Sequence, residues 1–257
     1  MRQALRAEWA KTWSDPVGVW PFAGLVVLSL AVSAVTIGTA RCATTGCGQD
    51  PARISLSGVY LGQAVAALAG VLAIGGEYGT GMISVTLAAI PRRGRLLAAK
   101  ALVLAGPVLA ASALVAGACL LAGGLILPGH GFTAGHGFDL ASPAMWRAAC
   151  CAALYLTLVA LLGLGVTTAV RDPAAATGAV LGLLYLFPVI GLVAGHSLQR
   201  RLEQIGPMSA GIDSLATQPG LPLSPWPALG VVAHHPAEDH EGAAGGVARP
   251  GERIADG

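Results

Sequence analysis

The sequence predicts an all-α integral membrane protein: a polytopic bundle of five transmembrane helices, preceded by a short interfacial helix. Two observations carry that prediction. Apolar residues make up 54% of the chain and charged ones 11%, with a mean hydropathy of +0.69, outside the range of ordinary soluble domains. The charges also cluster, leaving runs without Asp, Glu, Lys or Arg at 16–40, 54–76, 101–138, 148–170 and 173–199. Each run reaches the roughly 20 residues that a helix needs to cross a ~30 Å hydrocarbon core. The spans are therefore placed at 17–40, 55–76, 101–127, 148–170 and 174–195, all within a transmembrane domain at 16–195.

Residues 1–15 come first. Leu5, Trp9 and Trp13 recur every four residues, with Arg6, Glu8 and Lys11 around them. That pattern suits a helix lying in the inner interface with Trp at headgroup depth, the alternative being a solvated tail. The first span is too long for the apolar part of a secretory signal, and Glu8 and Asp15 sit where such a signal would be basic. Arg41 before Cys42 also argues against a lipoprotein cleavage site, so the span is expected to be a retained anchor. Cys42 and Cys47 share the next loop, and the spacing leaves both a disulfide and two thiols open.

In the second span Gly58, Gly62, Ala66 and Gly70 fall four apart and form one small-residue ridge. Ala174, Gly178 and Gly182 do the same in the fifth. Such ridges let helix backbones approach where lipid supplies no hydrophobic drive to association. Pro107 and Pro188 mark the third and fifth spans as candidates for kinks or hinges. Cys119, Cys150 and Cys151 lie in spans, where Cys behaves as a small apolar residue.

Basic residues set the orientation. With the N-terminus inside, the inner segments carry Arg2, Arg6, Lys11, Arg92, Arg93, Arg95, Lys100 and Arg171. The outer ones carry Arg41, Arg53, Arg147, Arg200 and Arg201. Eight against five, with the cluster at 92–100 deciding, places the N-terminus and the loop at 77–100 in the cytoplasm of a cell bounded by this plasma membrane.

Several function classes are disfavoured. No Asp, Glu, Lys, Arg or His falls inside the five spans so placed, and Gln63 is the clearest polar residue at depth. Ion-coupled carriers and intramembrane hydrolases need such groups near the midplane. Both lysines, Lys11 and Lys100, follow Ala, so there is no G-x-x-x-x-G-K-[ST] phosphate loop and any ATPase motor must be another chain. The net charge of +2 gives no footprint for nucleic acid. His130 and His136 repeat in Gly-His-Gly-Phe segments with no carboxylate or Cys that completes a site, which reads as a flexible external loop rather than a metal site. Neither a metal nor another cofactor is expected. Residues 196–233 read as an external loop and a remnant of a sixth span, and 234–257 as a polar, disordered tail rich in His.

The loop between the second and third spans is the most specific segment. Its start, Gly76-Glu77-Tyr78-Gly79-Thr80-Gly81-Met82-Ile83, is followed by Thr86-Leu87-Ala88-Ala89-Ile90-Pro91-Arg92-Arg93-Gly94-Arg95 and by Leu97-Ala98-Ala99-Lys100. It resembles the first cytoplasmic loop of ABC-2-type transporter permeases of actinobacteria. Leu5-Arg6-Ala7-Glu8-Trp9-Ala10-Lys11 is similar to their N-terminal interfacial helix, and Leu223-Ser224-Pro225-Trp226 to the start of their last span. The resemblance covers residues 1–233. It implies a six-span half-transporter that pairs with a second permease copy, as a homo- or heterodimer, and with separate ABC ATP-binding subunits. It further implies a coupling helix near 80–90 that docks on the ATPase, with Arg92, Arg93 and Arg95 at its exit.

The residues allow that role on their own terms. Gly79 and Gly81 permit a sharp turn as the chain leaves the membrane. Met82, Ile83, Val85 and Leu87 offer an apolar surface that Pro91 ends. The arginines could face an acidic partner, or anchor topology at anionic headgroups, or both. Glu77 could cap the helix or pair with a neighbouring Arg.

One departure from the family pattern stands out. After residues 226–233 the chain turns polar where an apolar sixth span would continue, and eight apolar residues cannot cross a bilayer. The leading expectation is a permease subunit, an exporter when an ATPase drives it, and not itself an enzyme. The alternative is a non-transporting membrane protein, either a decayed or frameshifted permease or a structural or immunity-type partner.

Overall fold

The computed structural model describes residues 16–41, 50–79, 93–132 and 142–194, and among these every regular element is helical. The order is α1 (Pro16–Thr39), the short α2 (Pro51–Ser55), α3 (Val59–Gly79), α4 (Arg93–Ile126) with a 3-10 turn at Leu127–His130, α5 (Pro143–Val170) and α6 (Pro173–Ala194). The interfacial segment, Cys42 and Cys47, His136 and everything from 195 onward lie outside the described residues.

Helix starts follow a repeated device, an acceptor side chain followed by proline. Asp50 accepts from the Ala52 N–H before Pro51, Ser142 from the Ala144 N–H before Pro143, and Asp172 from the Ala175 N–H at 2.6 Å before Pro173. The side chain satisfies an orphan N–H, and proline at the first helical position has no N–H to strand. At its other end α5 stops at Arg171, whose φ of 62° turns the chain directly into Asp172-Pro173.

Among the described residues four helices are long and apolar enough to cross a membrane: Val19–Thr39, Val59–Gly79, the Leu97–His130 stretch and Pro143–Val170. In α6 the stretch Pro173–Leu186 counts among the described residues as a shorter apolar helix, so four of the five expected spans are shown and the fifth is not tested at its full length. The boundaries also move. The second span begins at Val59, because Pro51–Ser55 forms a separate helix and turn before it. The fourth begins at Pro143 and takes Arg147 into its first turns.

The helices pack as a ring of four: α1 on α3, α3 on α5, α5 on α4, and α4 back on α1, with the α3–α5 seam the most extensive. α6 lies outside the ring against α3 and α5. In α1 the inward stripe is Leu25, Ser29, Ser33 and Ile37, each four residues from the last. In the opposite direction point Trp20, Val27 and Val35, and on α4 Leu114 and Leu125, which are 74% and 84% exposed. A surface of large apolar side chains at such exposure fits a bilayer and not water.

Several threonine hydroxyls inside the helices are quenched by their own backbone, whereas Ser29 Oγ and Ser112 Oγ are buried without a hydrogen-bond partner. Thr36, Thr157, Thr167 and Thr177 each donate to a carbonyl one turn back, the low-cost arrangement where no water is at hand.

Backbone approach is closest at the α3–α5 seam. A Cβ added to Gly70 would stand 1.9 Å from the Ala160 carbonyl oxygen, and one on Gly163 would stand 2.4 Å from that of Ala67. The second-span ridge is therefore real but does not serve one neighbour. Gly58 and Gly62 meet Ser29 of α1, with the Gly58 N–H donating to Ser33 Oγ at 2.9 Å, whereas Gly70 meets α5. Ala66, between them, is fully buried.

The fifth-span ridge behaves differently. Among the described residues, nothing lies within 4 Å of a Cβ built on Gly178 or Gly182. The stripe that packs is Ala176, Val180 and Leu184, offset by two residues. Two residues turn an α-helix by about 200°, so the glycine ridge faces away from the ring.

Candidate functional site at the Glu77 end of the bundle

The last turn of α3, the first turns of α4 and the α5–α6 turn meet at one end of the bundle. Pro173, at the start of α6, lies 3.0 Å from where a Gly75 Cβ would be, so glycine there admits the close contact. Two residues on, Glu77 is buried, and so is Lys100 in the second turn of α4. Lys100 Nζ donates to Glu77 Oε1 at 2.9 Å, an ion pair with both side chains out of solvent.

This changes the sequence reading in three ways. The loop at 77–100 shrinks, because 77–79 belong to α3 and 93–100 to α4, leaving 80–92 between them. Gly79 is taken into α3, while Gly81, the other glycine of the expected turn, lies outside the described residues. The helices that qualify as spans also hold Glu77 and Lys100, which the estimate of uncharged spans had left in the loop. Burial makes the difference. A paired Glu and Lys can enter a helix bundle where either alone could not, and single-chain hydropathy does not see a pair 23 residues apart.

The other predicted residues of the segment divide cleanly. Tyr78 is partly buried and packs on the core. Arg93 and Arg95 lie in the first turn of α4. Thr80, Met82, Ile83 and Arg92, and with them the expected coupling helix, lie outside the described residues.

Deeper in the bundle a polar cluster joins three helices. Tyr155 of α5 donates to Gln63 Oε1 of α3 at 2.5 Å, and Tyr185 of α6 donates to the Tyr60 carbonyl at 2.6 Å. Gln63 and Tyr155 are wholly buried. These bonds hold α6 and α5 to α3, a role that sequence reading saw only as one polar residue at depth. Beside it, Ser33, Ser112, Cys119 and apolar neighbours from all four ring helices line a cavity of about 10 Å³. That is room for something of water size and not for cargo.

At the far end, Arg41 Nη1 donates to His130 Nδ1 at 2.8 Å and to the carbonyls of Gly38 and Ala40. His130 is thus tied to the end of α1, while the rest of the expected loop, with His136, lies outside the described residues. Among the described residues no group of three His, Cys, Asp or Glu side chains is placed to hold a metal ion.

Taken together these features define a membrane-type helix bundle with one tightly paired end. Comparison with known protein families, curated proteins and solved structures gives no match.

Proposed function

We propose that the chain is the permease subunit of an ATP-driven ABC-2-type exporter in the plasma membrane, with its N-terminus in the cytoplasm. It works with a second permease copy and with an ATP-binding subunit on a separate chain, and α6 serves as its fifth span. The observation that carries this reading is the segment 76–100, a helix end, an apolar stretch and an arginine cluster set between two spans. Its position suits a docking element for a cytoplasmic motor, and the absence of a phosphate loop calls for that motor to be another polypeptide.

Two structural facts support the reading. The segment is anchored at both stems by helices joined through Glu77 and Lys100. The cavity lined by Ser33, Ser112 and Cys119 among the ring helices is too small for cargo, and in this reading passage runs between two copies rather than through it. A second reading, a membrane protein that does not transport, is favoured by the polar run at 234–257 where an apolar span would be expected.

Affinity purification of the tagged chain from its native membrane in mild detergent tests the choice. A permease brings an ATP-binding subunit with it, and Arg92→Glu/Arg93→Glu/Arg95→Glu loses that subunit while keeping the fold. Wild-type protein that purifies alone assigns the non-transporting reading.

A further inference from the structure

Resting on the permease reading, we infer that Glu77 and Lys100 form a clamp that makes the ends of α3 and α4 move as one body. A displacement that a docked ATP-binding subunit imposes on either helix at this end then reaches the other.

The last turn of a helix is ordinarily its weakest, with carbonyls lacking intrahelical partners and frequent local opening. Here α3 is held at Glu77, two positions before Gly79, and the holding group belongs to the helix that follows the next segment of chain. The cation also sits near the carbonyl end of α3, where the helix dipole favours positive charge. Stability alone does not call for such a pair, since desolvation offsets most of the attraction and well-packed apolar residues of similar size commonly do as well. What an ion pair adds is register, because one Nζ meets one Oε1 at 2.9 Å and an axial slip of either helix breaks it. Pro173 against Gly75 brings the start of α6 onto the same turns of α3, so the clamped end reaches a third helix.

The test uses the full chain with its co-purified ATP-binding subunit in lipid nanodiscs. Four variants are compared with wild type: Glu77→Gln, Lys100→Met, the exchange Glu77→Lys/Lys100→Glu, and the apolar pair Glu77→Leu/Lys100→Met. In the single variants the ATP-binding subunit stays bound, while amide exchange across 75–79 and 96–100 rises about tenfold. Permease-dependent ATP turnover in them falls about fivefold. The charge exchange restores at least half of the turnover, whereas the apolar pair restores slow amide exchange but not turnover.

Single variants with unchanged turnover overturn the clamp and leave the permease reading intact. So does an apolar pair that restores turnover as well as the charge exchange does, because packing alone would then suffice. Wild-type protein without an ATP-binding subunit overturns the permease reading, and the clamp's coupling role with it. The two double variants keep the result decisive where a stranded single charge prevents folding.

Discussion

α3 and α6 carry ridges of small residues at the same four-residue spacing, and the bundle uses them in opposite ways. On α3 and the turn that leads into it, Gly62 and Gly58 admit α1 while Gly70 admits the backbone of α5. On α6, Gly178 and Gly182 have no described neighbour, and Ala176, Val180 and Leu184 do the packing. Spacing therefore tells which helix faces could approach a backbone closely. It does not tell which of them do. The difference lies in what stands opposite: α5 supplies its own glycine, Gly163, so close approach at the seam is reciprocal.

The comparison breaks most readily at the seam. Gly70→Ala puts a methyl group where the Ala160 carbonyl now lies and must push α3 from α5, at a cost of about 1–3 kcal/mol. Gly163→Ala does the same from the other side, and the double variant costs less than the sum, since one displacement accommodates both methyls. Thermal unfolding in detergent reads both effects. A Gly70→Ala protein as stable as wild type would mean that the seam is not so closely packed.

A smaller effect is expected at the polar cluster. Tyr155→Phe removes the donor to Gln63 Oε1 and leaves a buried amide oxygen unpaired, with a loss of about 1 kcal/mol. Gln63→Leu in turn leaves the buried Tyr155 hydroxyl without its acceptor and costs a similar amount, whereas Tyr155→Phe/Gln63→Leu strands neither group and costs less than either single variant. A double variant that costs more than either single one in the same unfolding assay would show that the two residues contribute beyond this bond.

The smallest effect, with opposite sign, belongs to α6. Gly182→Ala meets nothing among the described residues and raises helix propensity, so stability stays level or rises by up to about 1 kcal/mol. Measured beside Gly70→Ala, it sets two glycines of identical spacing against each other. Equal destabilisation by both would contradict the account of α6.

Much of this architecture is legible in the sequence, and the gaps have physical reasons. The apolar runs locate α1, α3, α4, α5 and α6, because a bilayer demands length and low charge. Boundaries slip where charge was used as the only marker: Arg147 pushed the fourth span to 148, although Ser142-Pro143 is a legible helix start. Asp50-Pro51 and Asp172-Pro173 carry the same signal. Glu77 with Lys100 was not legible, since the pairing depends on how α3 and α4 lie together and not on local spacing. Nor was the facing of the α6 ridge, because every face of that helix is apolar or small and the sequence marks none as inward.

The central claim, a permease driven by a separate motor through the segment at 80–92, is tested most directly by native mass spectrometry of the complex released from its own membrane. The account predicts two copies of this chain with two ATP-binding subunits, reduced to permease alone by Arg92→Glu/Arg93→Glu/Arg95→Glu. Wild-type protein found only as itself, with no ATP-binding subunit at any detergent concentration that preserves the fold, would contradict it.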